Sequence, residues 1–258
     1  ENEFQINEIK IGSKYLPVVI AEIGINHEGS VTKCSKMIKE AAKFGVNAIK
    51  LQTINADSNY VLNSESYNIF KSSELSPEET ADMFKLAKSK GLDILTTAGD
   101  IDTIKWVDKL NPSSWKISSG LLTHIPVVRY LASLGRPLLI STGMANHDEI
   151  DFAIKTAKSV GNNDISLLQC TSLYPAPFDS LNLKTLQFFK SKYNCKVGFS
   201  DHSLGTDAAF LSVGAGAKII EKHFSLDPTR LGFDHKISLN AADFKIMIDR
   251  IRLAEIMM

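Results

Sequence analysis

The feature that most constrains the fold is a regular alternation of short apolar runs with amphipathic helical segments. Eight runs of strand length recur along the 258 residues. No linker rich in Gly, Pro or Ser and no run of like charges divides the series. Eight strand–helix units in one series predict an α/β fold of the (β/α)8 TIM-barrel type, forming one domain over residues 1–258, rather than a doubly wound sheet. The predicted strands cover residues 18–22, 48–52, 93–97, 114–118, 137–141, 165–169, 196–200 and 217–222.

Two segments depart from this alternation. Residues 3–16 alternate loosely around Gly12-Ser13, which predicts an N-terminal β-hairpin that turns there and acts as a lid or plug without chemistry. Residues 53–75 are polar and predict an irregular loop, and a loop of that length between a strand and a helix usually serves a site. The helix that follows is predicted over residues 77–90, because Ser76 and Glu79 form a capping box.

Composition excludes several classes of partner. Lys and Arg number 29, as do Asp and Glu, so the chain has no basic surplus that would indicate nucleic-acid binding. Three cysteines are too few for a disulfide framework or a thiolate metal cluster, which favours a reducing compartment. No apolar stretch approaches the roughly 18 residues that span a bilayer, and the first residues do not resemble a signal peptide. We therefore predict a cytoplasmic protein without a membrane or nucleic-acid partner.

Polar side chains recur where the predicted strands end. Glu22 shares its alternation phase with Val18 and Ile20, so it faces the barrel interior with them. Active sites of (β/α)8 barrels lie at the carboxyl ends of the strands, so polar residues with this inward phase are the candidates. On the other strands and just beyond them, the candidates are Lys50, Gln52, Lys116, Ser119, Ser141, Ser172, Ser200, His202, Glu221 and His223.

Each candidate taken alone has a structural explanation. A lysine can extend its stem to the surface, a lone histidine is more often a hydrogen-bonded core residue, and Glu22 could simply pair with a lysine. Their convergence on one barrel mouth favours a site instead. Two lysines with several hydroxyls suit an anion that carries phosphate and carboxylate groups. The imidazoles of His202 and His223 on adjacent strands can hold a divalent metal, and Glu22 can then handle water or a proton.

Seven sequence runs resemble the sialic acid synthases, enzymes that condense phosphoenolpyruvate with an N-acetylated hexosamine such as N-acetylmannosamine. The resemblance covers the whole chain in order and spacing. It rests on AEIGINHEG (21–29), IKLQT (49–53), WKISSG (115–120), ISTGMA (140–145), CTSLYPAP (170–177), GFSDHS (198–203) and EKHF (221–224).

The resemblance implies a role for each matching position. His202 and His223 would bind manganese, or another divalent ion such as magnesium or cobalt, and Glu22 would be the catalytic carboxylate. Contacts to the acceptor sugar would come from Gln52, Tyr174 and Asp234. Contacts to phosphoenolpyruvate would come from Lys50, Lys116, Ser119, Ser141, Ser172 and Ser200.

The resemblance also implies an assembly. Sialic acid synthases add a C-terminal antifreeze-like domain that closes over the partner's barrel in a swapped dimer, and this chain ends before such a domain. A homodimer is therefore expected of the full-length protein. Leu121 stands where the family usually carries an acid that contacts the amino sugar, so the acceptor stays open.

Two other functions remain compatible with these residues. A barrel aldolase could use Lys50 or Lys116 as a Schiff-base nucleophile. A non-catalytic sugar-binding barrel would also account for Leu121.

Overall fold

Eight parallel strands close into a barrel in the computed structural model of the chain, which describes residues 4–6, 9–11 and 15–258. Two further strands form an antiparallel pair near the N-terminus. The barrel closes in the order β10-β3-β4-β5-β6-β7-β8-β9, which confirms the predicted (β/α)8 fold. The strands are β1 (Phe4–Ile6), β2 (Ile9–Ile11), β3 (Val18–Gly24), β4 (Ala48–Gln52), β5 (Asp93–Thr97), β6 (Trp115–Ile117), β7 (Leu138–Ser141), β8 (Ile165–Cys170), β9 (Lys196–Asp201) and β10 (Ile219–His223).

Helices follow the barrel strands and cover the outside of the barrel. They are α1 (Val31–Ala41), α2 (Ala56–Asn59), α3 (Glu65–Ser73), α4 (Pro77–Ser89), α5 (Ile101–Asp108), α6 (Ile125–Ser133), α7 (His147–Ser159), α8 (Thr185–Tyr193), α9 (Asp207–Gly214) and α10 (Ala241–Met257). The predicted capping box starts α4, because Ser76 accepts the Glu79 N–H and the Glu79 carboxylate accepts the Ser76 N–H. Within the described part of the chain, no helix combines the length and hydropathy that a membrane crossing needs.

The segment between β4 and α4 differs from the prediction. Instead of one irregular loop, it holds the short helices α2 and α3. The prediction was wrong because both helices start at local caps, where the Asn55 side chain accepts the Ser58 N–H and the Ser64 hydroxyl accepts the Tyr67 N–H. These caps stabilise short helices whose polar composition hides them from a periodicity search.

The barrel interior has an apolar floor below a polar upper layer. Alternation along each strand sends one set of side chains outward to the helices and the other set inward. Glu22, Lys50 and Lys116 belong to the upper layer, at the carboxyl ends of their strands. The floor consists of Val18, Ile20, Ala48, Leu95, Leu139, Leu168 and Ile219, and Ile11 of β2 packs against it.

The second strand of the N-terminal hairpin packs against the lower end of the barrel through Ile9 and Ile11, as a plug would. The turn of the hairpin lies elsewhere than predicted. Phe4 pairs with Ile11, and Ile6 pairs with Ile9, so the chain reverses between Ile6 and Ile9. Gly12-Ser13 cannot form that reversal, because both residues follow the second strand of the pair; they lie outside the described residues.

His27 lies in the tight turn that follows β3, not in the barrel mouth. Its ring is 2% exposed, and its Nδ1 accepts the Gly29 N–H at 3.2 Å. Gly29 adopts a positive φ of +72°, and a Cβ there would lie 2.4 Å from the Ser72 carbonyl oxygen, so the turn requires glycine. His27 is thus a hydrogen-bonding loop residue, and burial lowers its pKa to about 4.

This buried imidazole predicts a loss of stability in acid. The pKa of His27 lies below the value of about 6.5 expected in the unfolded chain, so the unfolded state binds more protons between these two pH values. The His27 contribution to the free energy of unfolding is therefore present above pH 6.5 and falls by about 3 kcal/mol as the pH approaches 4. Urea titrations of the wild type and His27→Gln should show a shallower acid slope for the variant.

Gln187→Ala, on the exposed surface of α8, provides the control because it removes no titrating group. Its acid slope should match that of the wild type. Equal slopes for the wild type and His27→Gln would contradict the assignment of a buried neutral imidazole.

Candidate active site

Four buried charges form an ion network at the carboxyl ends of the strands. Lys50 on β4 contacts Glu22 Oε2 at 2.8 Å and Glu221 Oε2 at 3.0 Å. Lys116 reaches Glu221 Oε1 at 3.4 Å from β6. None of the four side chains is more than 4% exposed. The two carboxylates and two ammonium groups balance, which is what burial of charge requires.

Burial and ion pairing shift the pKa values of these four groups in different directions. Burial raises the pKa of Glu22 to about 7, although Lys50 opposes the shift. Burial alone would raise the pKa of Glu221, but Lys116 and Lys50 hold it well below its usual range. Lys50, between two carboxylates, has a raised pKa despite its burial, whereas burial lowers the pKa of Lys116. The network therefore holds Lys50 protonated and leaves Lys116 the more weakly compensated cation.

A cavity of about 310 Å³ opens above this network and gathers most of the predicted site residues. Glu22 and Asp234 do not line it. Glu22 has no exposed surface and lies behind Lys50 and Gln52, whose amide donates to Glu22 Oε1 at 3.1 Å. The predicted residues that line the cavity are Lys50, Gln52, Lys116, Ser119, Ser141, Ser172, Tyr174, Ser200, His202 and His223.

Hydroxyl groups surround the lysine side of the cavity. Ser141 Oγ is buried without a hydrogen-bond partner in the described structure. Ser119 Oγ accepts the Gly143 N–H at 3.0 Å, and a Cβ at residue 143 would lie 2.7 Å from Ser172 Oγ. Ser200 donates to Glu221 Oε1 at 2.9 Å. Unpaired donors next to buried ammonium groups form a cradle for an anion.

The two predicted imidazoles lie side by side at the same mouth. The ring centroids of His202 and His223 are 5.5 Å apart. His202 Nδ1 lies 2.8 Å from the Thr171 carbonyl oxygen, so Nδ1 carries a proton and Nε2 is the nitrogen left to bind a ligand, with the Tyr174 hydroxyl 3.2 Å from it. Burial, with the neighbouring His202 and Lys50, lowers the pKa of His223 well below its usual value and keeps that ring neutral.

These imidazoles fit a divalent metal that keeps open coordination positions. His223 Nδ1 is buried without a hydrogen bond, since its 3.5 Å approach to Asp234 Oδ2 is too long for one. The carbonyl bond of His202 is the kind of outer contact that orients a ligating histidine. In residues 4–6, 9–11 and 15–258, no group of three or more His, Cys, Asp or Glu side chains could hold a metal. The remaining ligands would therefore be water or substrate.

Tyr174 and Asp234 form the rim next to the imidazoles. The Tyr174 ring stacks on His202 with centroids 4.2 Å apart, and its hydroxyl lies 3.2 Å from His202 Nε2. Asp234 lines a neighbouring cavity of about 280 Å³ that Tyr174 also borders. The Asn26 side chain accepts the Asp234 N–H at 3.0 Å and fixes this loop above the mouth.

Glu221 is the main functional residue absent from the predicted roles. Its inward phase on β10, two residues before His223, makes it a candidate, but the resemblance assigns it no role. Tyr60 and Phe70 were not predicted site residues either, although they stack at 4.8 Å and line the cavity. Leu121 packs against the outer hydrophobic core and does not line the cavity.

Comparisons with known proteins agree with this geometry. The NeuB family model matches residues 37–258. An uncharacterized protein of Methanocaldococcus jannaschii is 40% identical, over 98% of this chain and 77% of that protein. The N,N'-diacetyllegionaminic acid synthase of Legionella pneumophila is 36% identical, over 97% of this chain and 76% of that protein.

A solved structure extends the likeness to the fold. The N-acetylneuraminic acid (sialic acid) synthetase of Leptospira borgpetersenii, crystallised with citrate, superposes with a TM-score of 0.96 at 31% identity, over 99% of this chain and 90% of that one. The resemblance to the sialic acid synthases is confirmed, and the chain is an enzyme of the carbon–carbon bond-forming transferase class. Because the family model matches most of its length, the chain belongs to the NeuB family.

Proposed function

We propose that this enzyme condenses phosphoenolpyruvate with an N-acetylated hexosamine, either N-acetylmannosamine or a related sugar, to give a nonulosonic acid and phosphate. The observation that carries the proposal is the pairing, in one cavity, of an anion cradle with two adjacent imidazoles. The cradle suits the anionic donor, and the imidazoles suit a metal that binds a carbonyl acceptor. The names of the NeuB relatives support a sugar-acid product.

The donor would bind on the lysine side of the cavity. Lys50 and Lys116 supply two ammonium groups for its phosphate and carboxylate, and the unpaired Ser141 hydroxyl is free to donate to it. Ser119, Ser172 and Ser200 add hydroxyl groups around the same volume. Fixed donors of this kind stabilise negative charge that develops on the leaving phosphate.

The metal side would bind the acceptor. His202 and His223 would hold Mn²⁺, or Mg²⁺ or Co²⁺ in its place, and the ion would polarise the aldehyde of the open-chain sugar. Tyr174 and Gln52 line this cavity, and Asp234 lines the neighbouring cavity that Tyr174 also borders, so these three side chains would orient the sugar.

In the proposed reaction, C3 of the donor attacks the aldehyde carbon, water adds at C2, and phosphate leaves with its bridging oxygen. Lys50 Nζ would pass a proton to Glu22 Oε2, 2.8 Å away, as it takes another from the water that adds at C2, so it stays an ammonium group overall. A carboxyl with a pKa of about 7 can serve as a proton acceptor near neutral pH.

The Schiff-base aldolase remains an alternative, and one observation favours it. Burial lowers the pKa of Lys116, as a nucleophilic amine requires. Lys50 is a poor candidate because two carboxylates keep it protonated. Borohydride would trap a lysine adduct of an aldolase, whereas the proposed condensation leaves none.

A cytoplasmic location and a homodimer of the full-length protein belong to the same proposal. The C-terminal domain that the resemblance implies stays a prediction.

The proposed condensation predicts that phosphate release depends on the acceptor. With Mn²⁺ and phosphoenolpyruvate, a panel of mono- and diacetamido hexoses should include at least one sugar that starts release of inorganic phosphate. Phosphoenolpyruvate alone should give none, because carbon–carbon bond formation precedes loss of phosphate. If the protein binds phosphoenolpyruvate but none of the acetamido sugars starts phosphate release, the acceptor assignment is contradicted and the sugar-binding barrel is favoured.

Glu22→Gln tests the proton transfer. The amide keeps the shape of the side chain and can still bond Gln52, but it cannot accept a proton. We expect kcat to fall by at least about 100-fold, while the Kd for phosphoenolpyruvate changes far less. Glu65→Gln on the surface of α3 is the matched control and should keep wild-type kcat. Full turnover by Glu22→Gln would remove the catalytic role.

Removal of either imidazole tests the metal site. His202→Ala and His223→Ala should each weaken Mn²⁺ binding by more than the roughly 10- to 100-fold that outer contacts contribute, as measured by electron paramagnetic resonance. His147→Ala, at the exposed first residue of α7, is the control and should keep the wild-type Kd for Mn²⁺. Unchanged Mn²⁺ affinity in both site variants would refute the metal assignment.

A further inference from the structure

A second buried ion pair lies immediately beside the two imidazoles, on the outer face of the barrel. Lys222 Nζ is 3.0 Å from Asp201 Oδ2, and neither side chain has any exposed surface. The two residues face each other across β9 and β10, where the strand register pairs Lys222 with Asp201. His202 immediately follows β9 and His223 is the last residue of β10, so the pair joins the segments that carry both imidazoles.

The pair also fixes the backbone beyond His202. Asp201 Oδ1 accepts the Ser203 N–H at 2.8 Å and the Ser203 hydroxyl at 2.6 Å, which forms a tight turn around His202. Lys222 donates to the Ser203 carbonyl oxygen. One salt bridge therefore holds the residue before His202, the residue after it and the residue before His223.

Stability alone does not explain this arrangement. Taking two charges out of water costs several kcal/mol per ion, and well-packed apolar side chains of similar volume are often as stabilising as a buried ion pair. Neither Asp201 nor Lys222 lines the cavity. What the pair adds over an apolar contact is directional bonding to the backbone on both sides of His202.

We propose that Asp201 and Lys222 are positioning residues, which hold His202 and His223 at the separation that lets one divalent ion bind both. This inference rests on the proposed metal site. The two rings come from different strands, and a shift of about 1 Å in either would loosen the site. Since the salt bridge fixes both strand ends through the backbone, it sets the relative position of the rings without contacting the ion.

The test replaces the charges with apolar groups and measures Mn²⁺ binding. Asp201→Leu/Lys222→Met should be less stable than the wild type, because the buried Ser203 N–H, hydroxyl and carbonyl lose their partners, and circular dichroism checks that it folds. Its Kd for Mn²⁺, from electron paramagnetic resonance, should be weaker by about tenfold or more. The Kd for phosphoenolpyruvate without metal should stay near the wild-type value, because the ion network inside the barrel is untouched.

The matched control is Lys218→Met/Glu255→Leu. Lys218 immediately precedes β10 and pairs with Glu255 of α10 at the opposite end of the strand. Loss of that pair should leave the Mn²⁺ affinity unchanged. If the apolar variant at 201 and 222 does not fold, Asp201→Asn keeps the shape and the Ser203 turn but removes the salt bridge, and it should bind Mn²⁺ at least about threefold more weakly.

The outcomes separate this inference from the metal site itself. Wild-type Mn²⁺ affinity in a folded Asp201→Leu/Lys222→Met variant, or in Asp201→Asn, would overturn the positioning role while the metal site stands. Equal weakening in the control at Lys218 and Glu255 would overturn it as well, since the effect would then be general loosening of β10. Retention of Mn²⁺ by His202→Ala and His223→Ala would refute the metal site and this inference together.

Discussion

The need to neutralise four charges inside a closed barrel governs the candidate site. Glu22 and Glu221 balance Lys50 and Lys116, and all four have almost no access to water. Removing any one would leave an uncompensated buried charge, which costs far more than the loss of a surface ion pair. The four side chains therefore fix one another, and the hydroxyls and imidazoles around them occupy positions set by this network.

Below the network the barrel is apolar, and above it the donors face open space. Ser141 and His223 each keep a buried polar atom without a hydrogen bond among the described residues. Such unsatisfied groups are costly, so proteins retain few of them and concentrate them where a ligand completes the bonding. The charges of the ion network are thus already paired within the protein, whereas the hydrogen-bonding atoms of Ser141 and His223 await a ligand.

Much of this site could be predicted from local sequence, because strand alternation assigns Glu22, Lys50 and Lys116 to the barrel interior. The ion-pair partners of these groups could not be predicted in this way. Lys50 meets Glu221 across the intervening strand β3, and no short-range pattern records a contact between residues so distant in the chain. The hairpin turn and the helices α2 and α3 were not predicted for a related reason. Strand register fixes the position of the turn and capping bonds fix the helices, and hydrophobic periodicity reveals neither.

Ile11 and the apolar floor restrict how ligands enter and leave the barrel. Because Ile11 and the floor close this end, a ligand reaches the lysines through the carboxyl end of the strands. The lysines lie at the bottom, while Tyr174 and Asp234 stand at the rim. A ligand held at the rim would lie on the path to the lysines, so this geometry favours an order in which the ligand of the lysines binds first.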